Sequence, residues 1–156
     1  MGLTRRSGEE ASKERRFRDR TPEGLLEQLR EADPVARRWA AHDLADFADA
    51  APALLERLSA ETERPVQSAI LNSLARNPGP AVVRGLMAFL RCEDAWLRNS
   101  VIETLGQLPH DVAGVVEELL RDESSDVRLL SLGVVSMLPL PQVPGWLFRA
   151  ATEDEH

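Results

Sequence analysis

Tyrosine is absent from this chain, cysteine occurs once, and three Trp and four Phe are its only aromatic residues. Each scarcity removes a class of solution. Cys92 alone cannot close a disulfide, so packing must supply the stability, and a reducing compartment is expected. Few rings and no alternating Val/Ile/Thr/Tyr segments leave nothing to build a sheet, so no β-strand is predicted. No apolar run approaches the ~20 residues that span a bilayer. The first residues carry no apolar signal core. A cytoplasmic protein without membrane contact is the expectation. Walker, dinucleotide-binding and nucleophile-elbow motifs are missing too, and Gly79 and Gly85 do not form a phosphate loop.

The charge is uneven. The whole chain carries −7, while residues 1–20 hold seven basic and four acidic side chains, a net +3. The body is therefore acidic, which argues against docking on nucleic-acid phosphate and makes nucleic acid a poor partner. Arg5, Arg6, Lys13, Arg15, Arg16, Arg18 and Arg20 make the start a basic segment, read as mobile or weakly helical.

What the chain does have is a repeat. Ala36, Arg37, Ala40, Ala41 and Leu44 are matched in register by Val66, Gln67, Ile70, Leu71 and Leu74. Leu97, Arg98, Val101, Ile102 and Leu105 form a third set. Val127, Arg128, Ser131, Leu132 and Val135 form a fourth. The period of 30 or 31 residues, with apolar spacings of three, four and seven inside each set, describes stacked helical units. Three residues before each first apolar slot stand Asp33, Glu63, Asp94 and Ser124, the expected helix caps, with Thr62 as a substitute for the weaker Glu63. The polar residues Arg37, Gln67, Arg98 and Arg128 are expected to reach back to their own cap or across to the next, as a structural ladder.

Second helices follow at a fixed phase, over 52–59, 80–91 and 112–121, with an orphan helix from Thr21-Pro22 to about Ala32. Leu29, Leu58, Leu90 and Leu120 are their matching late positions. Turns are predicted at 49–52, 77–80, 108–111 and 138–141, where Pro interrupts the helical run. A last helix runs from Gln142 or Val143 to Ala150. The predicted architecture is all-α: nine helices as antiparallel pairs in a right-handed α-solenoid over 21–151, between a basic segment (1–20) and an acidic tail (152–156).

Asp33-Pro34, Arg37, Ala40-Ala41 and Leu44, echoed at Asp126-Val127-Arg128, resemble the HEAT-repeat family, in particular its bacterial PBS-lyase HEAT-like type. The resemblance implies an armadillo-like superhelix whose second helices line a concave face. Glu27, Glu56, Arg57, Arg84, Arg91, Glu117, Glu118 and Arg121 would lie there.

Chemistry-bearing residues are few. HEAT-like di-iron hydroxylases use His-Glu pairs at matching phases; here His42-Asp43 and His110-Asp111 fall at different phases, so no metal site is expected. Cys92 sits beside acids, with no base nearby to activate it, so no catalytic residue or cofactor is assigned. Trp96 replaces a residue of mixed polarity elsewhere in the register and is a candidate partner contact. Trp146 and Phe148 make the final helix apolar, where no further repeat in this sequence covers it, and offer a surface for a partner or a homodimer. The expected function is a non-catalytic protein-interaction or scaffold module. The alternatives are a bilin lyase-like subunit acting on a protein-bound chromophore and a nucleic-acid-binding HEAT-like protein.

Overall fold

The computed structural model describes residues 20–153. The remainder of the predicted basic segment (1–19) and of the acidic tail (154–156) lies outside the described residues. Among those described there are ten α-helices and no strand. The fold is all-α, with helix pairs stacked as in an α-solenoid. The chain divides into two compact units, residues 1–77 and 78–156.

The first unit contains α1 (Pro22–Gln28), α2 (Pro34–Asp43), α3 (Ala51–Ala60) and α4 (Arg64–Arg76). Each starts with Pro in its first turn, where the missing N–H has no partner to lose. Two 3₁₀ turns, Leu44–Asp46 and Ala48–Ala50, carry the chain from α2 to α3. The turn predicted at 49–52 comes earlier than expected: the second 3₁₀ turn takes 49 and 50, and 51–52 already belong to α3. The helix α2 packs on α4, with α1 and α3 alongside. Ala36, Ala40 and Ala41 are fully buried, and their short side chains let α2 approach α4 closely. Val66, Ile70, Leu71 and Leu74 answer from α4. Ser73 Oγ ties the two by donating to the Ala41 carbonyl at 2.6 Å.

The second unit contains α5 (Pro80–Met87), α6 (Ala95–Gly106), α7 (Pro109–Ala113), α8 (Val116–Leu120), α9 (Ser125–Ser136) and α10 (Val143–Glu153). A 3₁₀ turn, Ala88–Arg91, extends α5. The helix α6 packs on α9 and α5, and α9 receives α8 and α10. Leu97, Val101, Leu105, Val127 and Val135 fill the predicted slots, while Ile102 and Leu132 are only half-buried.

Four expectations are corrected. The single helix predicted over 112–121 is two short helices, so there are ten rather than nine. The predicted turn at 108–111 is instead the start of α7, which Pro109 opens. The break at Gly114–Val115 shifts the phase by one residue, so Leu119 rather than Leu120 is the buried late leucine. The final helix runs three residues past Ala150, helped by Thr152 Oγ1 bonding the Phe148 and Arg149 carbonyls at 3.1 and 3.0 Å.

Candidate functional site

The predicted caps divide into two kinds. Asp33 accepts from the Val35 N–H at 3.0 Å, and Asp94 from those of Trp96 and Leu97 at 3.0 and 3.2 Å. Glu63 and Ser124 occupy the cap position but make no side-chain cap bond. A carboxylate two residues earlier holds those turns instead. Glu61 Oε1 accepts from the Thr62 and Glu63 N–H groups, and Asp122 Oδ1 accepts from Ser124 N–H at 2.9 Å. The expected Thr62 cap is thus replaced by Glu61.

The ladder differs from its prediction as well. In all four repeats the polar ladder residue grips the backbone carbonyl six positions before it. Arg37 reaches Glu31 at 2.9 Å, Gln67 reaches Glu61 at 2.7 Å, and Arg98 and Arg128 reach Cys92 and Asp122 at 3.0 Å. These bonds clamp the turn that enters each repeat. They satisfy carbonyls at the ends of the preceding segments, which have no helical partner.

In the first unit Arg37 goes further. Its Nε and Nη2 close as a fork on Glu61 at 2.8 and 2.9 Å, and Glu61 Oε2 also accepts from Arg57 Nε at 3.0 Å. The Glu61 side chain is fully buried. Burial alone would push its carboxyl upward. The bonds from Arg37, the Glu63 N–H and Arg57 together overturn that and hold it down at about 2. Arg37 is raised in turn, first by its bond to Glu61. Sequence reading missed this knot, although the acid stands a constant 24 residues after the arginine: Glu61 after Arg37, Asp122 after Arg98.

Another buried acid, Asp43, is only 5% exposed and pairs with Arg20 at 3.0 Å. Its register equivalents, Ser73 and Thr104, are uncharged and bond backbone carbonyls. Arg20, the end of the basic segment, is therefore the counter-ion of a charge inside the repeat core.

The partner-binding candidates are scattered. Trp96 lies in the first turn of α6 and is 38% exposed; Trp146 is half-buried on α10, whereas Phe148 is 71% exposed. The charged candidates do come together, on the second helices of the second unit. Arg84 on α5 meets Glu118 on α8 at 3.0 Å; Glu117 meets Arg149 on α10 at 3.0 Å and Arg121 at 3.6 Å. Arg91 holds Asp122 at 2.5 Å. Asp122 is lowered first by the Ser124 N–H and then by Arg91. In the first unit Arg57 belongs to the buried knot around Glu61 rather than to an open face.

The repeated clamp and stacked pairs match what comparison finds. A family model for HEAT repeats matches residues 22–105 and again 51–136. The chain belongs to the HEAT-repeat family. No curated protein matches the sequence. The family fixes the architecture of these HEAT repeats and is consistent with a repeat scaffold. Among the described residues no three His, Cys, Asp or Glu side chains gather as a metal site, and no helix is long and apolar enough to cross a membrane. His42 Nδ1 lies 3.4 Å from Asp43 and its ring meets Trp39 edge-on, while Cys92 Sγ donates to the Asp94 carbonyl at 3.4 Å.

Proposed function

We propose that this HEAT-repeat protein is a non-catalytic docking module for another protein. The observation that supports this most is the exposed second-helix face of the second unit. There Arg84–Glu118 and Glu117–Arg149 lace successive helices with ion pairs in water, and Glu117–Arg121 adds a pair along α8. Exposed pairs of this kind contribute only about 0–1 kcal/mol each. A partner with matching charges can take over either member at little cost to the fold. Phe148, exposed on α10, adds an aromatic anchor of the type enriched at protein interfaces.

The Asp33-Pro34 start with Arg37 supports placing the repeats in the bacterial PBS-lyase HEAT-like type. The lone Cys92 is in keeping with a cytoplasmic setting.

The test is capture of partners from the source cell by the intact chain and by a Glu117→Lys/Glu118→Lys variant. Selective loss of a captured protein in the variant is expected. Identical recovery by both removes this face from the reading.

A further inference from the structure

Arg37 and Arg98 occupy the same slot two repeats apart, and both use Nη1 to clamp the carbonyl six residues earlier. Their remaining donors meet different fates. Around Arg37 they close on Glu61, so the slot is filled from within the chain. Twenty-four residues after Arg98 the corresponding acid is Asp122, one methylene shorter. Arg91 draws it aside with two bonds at 2.5 and 2.6 Å, and the Ser124 N–H adds a third at 2.9 Å. Among the described residues no carboxylate closes on Arg98. Arg98 instead lines a groove of about 500 Å³, whose walls include Leu90, Val127, Leu129 and Leu130. Leu129 is 69% exposed there, an unusual position for leucine on a helix of this register.

We propose that this groove docks a protein segment that presents one carboxylate between apolar side chains, with Arg98 taking the carboxylate as Arg37 takes Glu61. The proposal rests on the protein-docking reading above and names the chemistry of the partner. The two-pronged arginine fork is suited to a carboxylate, and the leucine and valine walls to apolar neighbours. Asp126, on the same groove, repels a run of closely spaced anions. A single acid flanked by hydrophobic residues fits this lining, and a phosphate backbone does not. In this mode the partner completes a position that the first unit completes for itself.

The substitution for the test is already present in the fold. Gln67 makes the same carbonyl clamp at 2.7 Å without a fork, so Arg98→Gln should retain the turn while losing the carboxylate receptor. The full chain is panned against a phage-displayed random 12-residue peptide library, and enriched peptides are synthesised with each acid also replaced by its amide. Enriched sequences are expected to share one Glu or Asp among Leu, Ile, Val, Met or Phe. Both Arg98→Gln and the amide peptide should weaken binding about tenfold or more. No acidic-apolar consensus, or one bound equally well by Arg98→Gln, overturns the proposal. So does Arg98-dependent retention of a single-stranded oligonucleotide at low salt. Partner capture that depends on Glu117 and Glu118 but not on Arg98 would leave protein docking standing while removing this groove from it.

Discussion

Glu61 is the residue whose loss should be felt most. Its carboxyl is buried, bonded by Arg37, Arg57 and two backbone N–H groups, and held at about 2 against 4.5 for an unperturbed glutamate. The folded state therefore binds this proton less tightly than the unfolded chain does. The resulting contribution is complete above about 4.5, and it is lost as pH falls toward about 2. The 2.5-unit gap corresponds to about 3 kcal/mol. Glu61→Gln keeps the shape and one acceptor but leaves Arg37 buried without a counter-charge, a change that typically costs about 3–5 kcal/mol. At pH 7 the variant should unfold about 3 kcal/mol more easily, lowering Tm by roughly 6–12 °C. At pH 2.5 wild type is itself mostly protonated at this site in the unfolded state and partly so in the folded state. The difference between the two proteins should then shrink below about 1 kcal/mol. Urea unfolding followed by circular dichroism at both pH values measures it, and the other carboxylates, Asp122 included, cancel between the two proteins. A gap of equal size at pH 7 and pH 2.5 refutes the assignment of the stability to this charge.

The unequal caps give a paired prediction: Asp94→Ala should cost about 1 kcal/mol, whereas Ser124→Ala, whose hydroxyl caps nothing, should stay within about 0.5 in the same unfolding assay. Ser131 Oγ is buried with no hydrogen-bond partner at a slot filled elsewhere by Ala40, Ile70 and Val101, so Ser131→Ala should stabilise by up to about 1 kcal/mol, read as a raised denaturation midpoint. A double-mutant cycle on Arg84 and Glu118 should give a coupling below about 1 kcal/mol that fades in 1 M salt; a larger, salt-insensitive value would make the pair structural and remove it from the docking face.

The parts of the fold that obey a period were legible in the sequence. Ala36, Val66, Leu97 and Val127 recur because each faces a neighbouring helix, and burial at a near-constant spacing leaves an unmistakable pattern. The break at Gly114–Val115 was hidden because Val112, Val115 and Val116 keep an apolar rhythm through it. Only Gly114, followed by two β-branched residues, hinted at poor helix propensity. Glu61 was harder to see. It lies in a turn, outside the apolar register, and a solvated turn glutamate has the same letter as a buried one. The signal that finds it is the distance from Arg37, repeated between Arg98 and Asp122.

That comparison also separates what the repeats must keep from what they are free to change. The clamp from ladder residue to carbonyl is made by Arg37, Gln67, Arg98 and Arg128 alike, because every turn offers a carbonyl whatever its side chain. Charge is not required for it, as Gln67 demonstrates. An arginine in this slot therefore brings more donors than the turn consumes. In the first unit the surplus is absorbed by Glu61, and the pair becomes part of the core. Around Arg98 the matching acid is shorter and is held elsewhere by Arg91, and Arg98 lines an open groove with leucine and valine walls. Two repeats with nearly the same backbone device thus differ by whether a carboxylate is supplied internally. A difference of one methylene and one competing arginine is enough to turn a structural position into a receptive one.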